Sequence, residues 1–298
     1  MFRQSSIAYG HGTDNAWDEA VYLVTSVADL ADDESSASLK ISDRLIDQIL
    51  GFAERRINER MPLAYLLGFC EYAGHRFILR EGVIIPRSPI GHLLLDGFFR
   101  PWEKQKVSRV LDLCSGTGCL GILAAYRYRS AEVILIDNDP LAIEVAKKNI
   151  ELHGMTNQVR PICADVTKTI EEDLGLYDLI LCNPPYVDQV DMESLSEEFK
   201  KEPSHALDGG VDGLSILRPV IEQAQNLLAD NGVLVCEAGA SAAAFNKAFE
   251  KFCPIALDTS NEGEGVFLLE GKSLQATSCR WATTGNPADL SFFSARVR

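Results

Sequence analysis

Asn183, Pro184, Pro185 and Tyr186 directly follow an apolar segment, residues 179–182, and form the most distinctive short motif of the chain. Two consecutive prolines remove two backbone donors and fix φ twice, and the first of them forces Asn183 toward an extended conformation. The motif is therefore a stiff segment that presents one amide side chain and one aromatic ring. By itself it is either a plain turn or a place where a ligand is held.

A glycine-containing loop follows an earlier apolar segment and leads into a helical one. Gly116 and Gly118 would let a ligand approach the backbone, and the N-terminus of the following helix offers free N–H groups. Such a loop is typical of nucleotide binding, although dinucleotide-binding folds use a related one and some only pack a helix on a sheet. The candidate residues are Asp112, Cys114, Ser115, Gly116, Thr117 and Gly118.

Acidic residues end the next two apolar segments. Asp137, with Asn138 beside it, stands where an acidic side chain accepts hydrogen bonds from both hydroxyls of a ribose. Asp139 precedes a proline and is predicted to cap the following helix. Asp165 would accept from an adenine amino group while Val166 packs on the ring, or else Asp165 is a surface acid of a loop.

The composition and net charge limit the classes of protein to which the chain can belong. The 298 residues carry 28 basic and 43 acidic side chains, a net charge of −15 that is spread along the chain. This charge repels naked nucleic acid, so no direct nucleic-acid binding is expected, and it either attracts a basic protein or serves only solubility. With neither an apolar segment of membrane-spanning length nor a secretory signal, we expect a cytoplasmic protein without membrane contact.

The eight cysteines and five histidines are scattered along the chain. They show no pairing at metal-ligand spacing, so no metal site is predicted. Cys163, Cys182 and Cys236 fall in apolar segments and are predicted to be small buried residues.

Apolar and helical segments alternate from about residue 107 onward. The strand-like segments cover residues 107–114, 131–137, 158–165, 177–183 and 231–239. This alternation predicts an α/β fold with a parallel sheet covered on both faces. Two further segments, 254–260 and 265–271, leave little room for a helix between them and predict a closing antiparallel hairpin. All the motifs would then lie at the carboxyl edge of one sheet, where ligands of open α/β folds bind.

Two amphipathic helices are predicted before the sheet. Residues 14–30 place Trp17 and later apolar residues at three- and four-residue spacing, after Thr13 and Asp14 as candidate caps. Residues 43–59 repeat the pattern. A hairpin over 71–86, broken at Glu81-Gly82, follows them, and Ser88 before Pro89 predicts a capped helix. We therefore divide the chain into a helical N-terminal domain, a bridging hairpin with a helix, a sheet domain and a tail, over residues 1–69, 70–100, 101–271 and 272–298.

The glycine loop, Asp137, Asp165 and the Asn-Pro-Pro-Tyr motif, in this order, resemble the HemK-like class I methyltransferases that depend on S-adenosylmethionine. In that class the motif marks enzymes that methylate a planar nitrogen. Stretches 12–21, 54–66, 82–94 and 197–214 are similar to the family that methylates a glutamine of the third protein of the large ribosomal subunit. Cys114 departs from the glycine common in the class, and the ribosomal-protein subgroup tolerates it. The resemblance extends from about residue 12 to residue 270.

The resemblance implies a Rossmann-like methyltransferase sheet, S-adenosylmethionine as cofactor and direct methyl transfer to a glutamine side-chain amide. The Asn183 side-chain oxygen and the Pro184 carbonyl would each accept one N–H of that amide, and Asn183 would also contact the cofactor. Tyr186, next to Pro185, would pack on the planar amide or else act as hydrophobic filler. Arg87 would order the pocket or contact the substrate, or else be a plain surface arginine.

Two other enzyme classes and one binding class stay open at this stage. An adenine methyltransferase of nucleic acid shares the motif but needs a basic groove, which we do not find in the sequence. The sister family that acts on peptide release factors usually has a proline followed by acidic residues where this chain has Ser88-Pro89-Ile90. A non-catalytic nucleotide-binding module would use only the glycine loop.

The resemblance and the charge together indicate the partner. A basic ribosomal protein is attracted by an acidic enzyme before assembly and is covered by RNA afterwards. We therefore expect the substrate to be the free or nascent ribosomal protein, recognised with help from the N-terminal domain.

Overall fold

Three helices form the N-terminal region of the computed structural model, which describes residues 1–31, 33, 35–99, 102, 106–168, 175–259 and 265–275. They are α1 (Ala16–Ala28), α2 (Asp43–Asn58) and α3 (Leu63–Leu67). Both long helices lie where the apolar spacing predicts them. Leu23, Ala53 and Leu63 are buried where the three helices meet.

The start of α1 differs from the sequence prediction in two respects. Its cap is Asn15, whose side chain accepts hydrogen bonds from two backbone N–H groups, and not Thr13 or Asp14. Trp17, predicted to lie on the buried face, is 64% exposed. The buried side runs through Glu19 and Leu23, and Trp17 stands two residues before Glu19, on the opposite side of the helix.

A two-stranded antiparallel hairpin follows, with β1 at Phe69–Tyr72 and β2 at His75–Ile78. Its turn is Ala73-Gly74, both at positive φ (49° and 73°), so the prediction of a break at Glu81-Gly82 is wrong. A two-residue turn of this kind matches the right-handed twist of the strands, so the hairpin is tight and turns before the predicted position.

Helix α4 (Pro89–Leu95) begins as predicted. The Ser88 hydroxyl oxygen accepts from the backbone N–H of Ile90 at 3.3 Å, and Pro89 occupies the first turn. The hairpin and α4 lie between the N-terminal helices and the main sheet along the chain.

The main sheet has seven strands in the order β5-β4-β3-β6-β7-β9-β8. They are β3 (Arg109–Leu113), β4 (Glu132–Asp137), β5 (Val159–Cys163), β6 (Tyr177–Cys182), β7 (Leu228–Glu237), β8 (Ile255–Ala256) and β9 (Val266–Glu270). Strands β3 to β7 are parallel and β9 pairs antiparallel with both β7 and β8. The predicted Rossmann-like sheet with an antiparallel closing hairpin is therefore confirmed. The strand order reverses between β3 and β6, which is where such folds bind ligands.

Helices cover both faces of this sheet. They are α4 with α5 (Cys119–Arg127), α6 (Pro140–Leu152), α8 (Leu217–Leu227), α9 (Ala242–Phe249) and α10 (Gly271–Gln275), whereas α7 (Gln189–Ser194) has no buried residue. Adjacent strand residues bury on opposite faces: Val110 packs on the side of α4 and α5, and Leu111 on the side of α8 and α9. The continuous apolar strands thus reflect a sheet buried on both sides.

Three further sequence predictions concern the cysteines, the tail and membrane-spanning segments. Cys182 and Cys236 are buried as predicted, but Cys163 is exposed, because it ends the edge strand β5. The predicted tail over 272–298 begins inside α10, and residues 276–298 lie outside the described part of the chain. Within the described residues, no helix is long and apolar enough to cross a membrane.

Candidate active site

A cavity of about 300 Å³ opens at the carboxyl edge of β3, β4 and β6. It is lined by residues of the segment 79–88 between β2 and α4, which we call the hairpin linker, and of the stretch 195–207, which we call the strap. The glycine loop, the ends of β4 and β5 and the Asn-Pro-Pro-Tyr motif complete the lining. The sequence-predicted residues that line it are Arg87, Cys114, Ser115, Gly116, Thr117, Asp137, Asn138, Asp165, Val166, Asn183, Pro184, Pro185 and Tyr186. The fold therefore brings most of the candidate residues to one place.

The Asp137 carboxylate organises the glycine loop. One of its oxygens accepts from the backbone N–H of Gly116 at 2.7 Å and the other from that of Asp139 at 2.9 Å. Burial raises the pKa of Asp137, and these two N–H groups act in the opposite direction. Each carboxylate oxygen has two acceptor positions, so the side chain can still receive hydroxyl groups of a ligand. Asp139 caps α6 as predicted, accepting from the N–H of Leu141 at 2.8 Å.

The backbone of the loop takes left-handed conformations that suit glycine. Cys114 has a φ of 57° and Gly116 a φ of 53°. This explains why a glycine would be the easier residue at position 114, since a side chain in this region is strained. At Gly116, an added Cβ would also come within 2.9 Å of the Ile84 side chain.

Two hydroxyl groups of the loop lie buried without a hydrogen-bond partner. Ser115 and Thr117 are 6% and 1% exposed, and neither hydroxyl oxygen is bonded to the protein. Because buried polar groups are normally satisfied, these two orphans at the cavity wall fit the polar groups of a bound cofactor.

Asp112 and Gly118 are placed behind the wall and do not line the cavity. The Asp112 carboxylate is fully buried and accepts from the backbone N–H of Gly121 at 2.8 Å. Burial raises its pKa to about 8. An added Cβ at Gly118 would come within 2.9 Å of Leu135, so this glycine allows helix and sheet to approach each other closely.

Asp165 is engaged in its own turn. Its carboxylate accepts from the backbone N–H of Thr167 at 2.9 Å and the Thr167 hydroxyl at 2.6 Å, and it pairs with Lys168 at 3.0 Å. The Thr167 hydroxyl hydrogen bond is the leading cause of a lowered pKa at Asp165. The side chain faces the cavity beside Val166, which is 6% exposed. The structure is thus compatible with both sequence readings of this residue.

The Asn-Pro-Pro-Tyr motif begins directly after β6. The Asn183 side-chain oxygen is buried and has no hydrogen-bond partner. The Tyr186 hydroxyl donates to a Glu237 oxygen at 2.7 Å, and a Cβ at Gly239 would collide with the Tyr186 ring. Burial raises the pKa of Tyr186. The motif therefore offers one open acceptor beside an aromatic ring that is held in place.

Arg87 lies in the cavity wall and is fixed by the strap. Its guanidinium donates to Glu202 at 2.8 Å and lies 5.3 Å from the ring centroid of Phe199. Glu202 also accepts from the backbone N–H of Ile85 at 2.9 Å. Burial of Glu202 opposes its ionisation, but the Arg87 charge prevails and the pKa of Glu202 falls to about 2. His11 Nε2 lies 3.4 Å from this carboxylate, without the geometry of a hydrogen bond.

A second carboxylate of the strap contacts the N-terminal helices. Glu198 pairs with Arg60 at 3.0 Å and with Arg56 at 3.5 Å, and Arg56 in turn pairs with Glu19. All but Arg60 are buried. The strap is thus attached to the N-terminal region at one carboxylate and to the hairpin linker at the other.

Sequence reasoning missed the three carboxylates Glu198, Glu202 and Glu237. Glu237 ends β7 in the way that Asp137 ends β4, so the argument from the carboxyl edge could have found it. Glu198 and Glu202 leave no comparable signal, because their partners lie more than a hundred positions away. Among the described residues there is no group of three side chains suited to a metal ion.

The fold and the edge site together define a Rossmann-like methyltransferase. A family profile described as the Methyltransferase small domain matches residues 92–215. The structure resembles that of the catalytic domain of hMettl16 in complex with MAT2A 3'UTR hairpin 6, with a TM-score of 0.51 and 14% identity over 78% of this chain and 84% of that one. This likeness concerns the fold alone.

Two relatives identify the family more closely. The chain is 39% identical over 274 residues to the ribosomal protein uL3 glutamine methyltransferase of Bordetella pertussis, covering 90% of each chain. It is 40% identical over 286 residues to the protein of that name from Burkholderia pseudomallei, covering 93% of each. The chain belongs to the ribosomal protein uL3 glutamine methyltransferase family, which confirms the resemblance found in the sequence.

Proposed function

We propose that this protein transfers a methyl group from S-adenosylmethionine to the side-chain amide nitrogen of a glutamine in ribosomal protein uL3. One observation carries the proposal: the buried, unpartnered side-chain oxygen of Asn183 lies in the same cavity wall as the glycine loop. The two relatives bearing that name support the choice of substrate.

The glycine loop and the ends of β4 and β5 would hold the cofactor. Bound S-adenosylmethionine supplies an electrophilic methyl group on a sulfonium. Asp137 and Asn138 would hold the ribose, and Asp165 with Val166 the adenine. The orphan hydroxyls of the loop would receive polar groups at the other end of the cofactor.

The motif would hold the glutamine amide. An amide nitrogen is a poor nucleophile because its lone pair is delocalised into the carbonyl. Asn183 and the Pro184 carbonyl would each accept one N–H, which localises that lone pair on the nitrogen. Fixing the reacting atoms close together can supply ~7–11 kcal/mol of the barrier. No base is needed, since the product amide loses its extra proton readily to solvent.

The aromatic side of the slot is Tyr186, with Pro185 beside it. The Tyr186 phenol is committed to Glu237, so its ring is left as the surface on which a planar amide packs. Arg87, paired with Glu202, lies in the cavity wall near the Phe199 ring.

The partner would be uL3 in its free or nascent form. A net charge of −15 favours a basic protein and disfavours the RNA that surrounds it after assembly. Inserting a glutamine side chain into a narrow slot also requires a segment not yet packed against the ribosome. Recognition by the N-terminal helices and a cytoplasmic location remain predictions of the sequence.

The test is a panel of acceptors offered to the purified enzyme with S-adenosylmethionine. Free uL3, assembled subunits lacking the modification, a release factor and an oligonucleotide are compared at matched concentration, and mass spectrometry locates the methyl group. Free uL3 should be modified fastest, on a glutamine. Faster modification of assembled subunits would contradict the timing, and preference for the release factor or the oligonucleotide would contradict the substrate.

A further inference from the structure

We propose that Glu237 is a positioning residue of the methyl transfer, which acts by holding the Tyr186 phenol and thereby the aromatic side of the amide slot. The inference rests on the proposed function and adds a residue that the sequence motifs do not include.

The Glu237 carboxylate lies at the end of β7, next to β6 from which the motif emerges. It is 5% exposed. One oxygen accepts from the Tyr186 hydroxyl at 2.7 Å and the other from the Ser88 hydroxyl at 2.5 Å. When the carboxyl group is ionised, each of its two oxygens accepts one hydroxyl hydrogen bond, so both hydroxyl donors are satisfied.

The same carboxylate connects the motif to the hairpin. The Tyr72 hydroxyl donates to the backbone carbonyl of Ser88 at 2.5 Å and accepts from the N–H of Gly91 at 3.0 Å. A buried series of hydrogen bonds therefore extends from β1 through the start of α4 to Glu237 and Tyr186. Networks of this kind restrict each member to one position when all are satisfied.

A carboxylate is a costly choice for such a position. Burial raises the pKa of Glu237, and the two hydroxyl hydrogen bonds and the Arg87 charge oppose that rise. Arg87 is itself paired with Glu202, so it does not neutralise Glu237 alone. An apolar side chain would fill the place at lower desolvation cost. What the carboxylate adds is a strong, directional acceptor for the phenol of the motif.

The ring of Tyr186 is fixed at two points as a result. Its hydroxyl is held by Glu237, and the absence of a side chain at Gly239 lets the ring lie against the backbone there. Releasing the phenol would free the ring to move and would loosen the amide slot, while the glycine loop on the other side of the cavity would be untouched.

A double-mutant cycle tests this with Tyr186→Phe, Glu237→Gln and the combination. The readouts are kcat and KM with free uL3, cofactor Kd by calorimetry and the melting temperature. Each single variant should lower kcat by about ten- to hundredfold, the range typical of partners that orient a functional group. The double variant should be no slower than the slower single one, because both remove the same restraint. Cofactor Kd should not change.

Multiplying losses in the double variant would overturn the proposal, since Glu237 would then act independently of Tyr186. So would an unchanged kcat in Tyr186→Phe, a variant that loses only the hydroxyl group and remains informative if Glu237→Gln does not fold. Glu222→Gln, an exposed carboxyl on α8, is the matched control and should behave as wild type. A wild-type enzyme inactive on uL3 would instead refute the proposed function.

Discussion

The two halves of the cavity are built in different ways. The cofactor half consists of turns that follow β3, β4 and β5, and the hydrogen bonds that the Asp137 and Asp165 carboxylates accept there span at most 21 positions, as from Gly116 to Asp137. The amide half depends on bonds that span 115 positions from Arg87 to Glu202 and 149 from Ser88 to Glu237. The first half is a local product of the sheet, whereas the second must be assembled from distant parts of the chain.

The chemistry of the two halves differs accordingly. Backbone N–H groups and an aspartate hold the glycine loop, while buried carboxylates with arginine and hydroxyl partners hold the motif and the strap. The cofactor half can therefore be intact while the amide half is not. We expect mutations to separate cofactor binding from methyl transfer.

The largest effect should come from Asn183→Ala. Methyl transfer should fall by ~10²–10³, because the partner that polarises the amide is lost, while the cofactor half stays intact. Single-turnover transfer to uL3 and calorimetry with the cofactor measure the two quantities separately. Asn157→Ala, an exposed position in the loop before β5, is the control. A large loss of cofactor affinity with unchanged turnover would assign Asn183 to the other half.

Glu202→Gln tests whether the amide half depends on its distant ion pair. The pKa of Glu202 is about 2 in the folded protein, below its ordinary 4.5. The carboxylate thus contributes stability above pH 4.5 that is lost as the pH falls from 4.5 toward 2. The substitution should lower the free energy of unfolding by about 3 kcal/mol at neutral pH, measured by urea denaturation.

The variant should also lose less stability than wild type as the solution is acidified through that window. Glu197→Gln changes the exposed neighbour that pairs with Lys200 and should leave both quantities unaltered. Equal acid sensitivity in wild type and Glu202→Gln would show that the ion pair does not stabilise the strap.

Asp137→Ala should affect the cofactor half alone. Loss of a charge-assisted acceptor, which also orders the loop, should weaken cofactor binding by ~1.5–3 kcal/mol. Transfer at saturating cofactor should be reduced much less. Asp47→Ala, exposed on α2, is the matched control for calorimetry. Wild-type affinity in Asp137→Ala would rule out its assignment to the ribose.

The smallest effect concerns ionic strength. The rate with free uL3 should fall several-fold as salt rises above about 0.1 M, because screening weakens attraction between the acidic enzyme and its basic substrate. Cofactor Kd should change little over the same range. A rate that is independent of salt would mean that charge does not guide the encounter.

The difference between the halves also explains what could be predicted from the sequence. The strands, the Ser88 and Asp139 caps and the position of Asp137 at the cavity depend on spacing within one βα unit, and periodicity and turn residues reveal such spacing. Trp17 and Cys163 were misplaced because the burial of a first-turn residue or of an edge-strand end depends on what packs there. The hairpin turn was misplaced because Ala73-Gly74 and Glu81-Gly82 both end in glycine, and only the strand pairing shows which of them is the turn.

The partners of the motif could not be predicted from the sequence. Glu198 and Glu202 stand among other charged residues of a polar stretch, and only the fold brings them to Arg60 and Arg87. Burial strengthens these ion pairs, and it depends on tertiary packing that no local sequence pattern encodes. Glu237 is the intermediate case, since its place at a strand end was visible although its partner was not.

The mass of uL3 in cells tests the proposed methyl transfer most directly. Cells lacking this gene, complemented with wild type or with Asn183→Ala, provide three preparations of uL3 for mass spectrometry. We predict that uL3 from the deletion strain lacks one methyl group on a glutamine, that the wild-type gene restores it and that Asn183→Ala does not. A fully methylated uL3 in the deletion strain, or full restoration by Asn183→Ala, would contradict it.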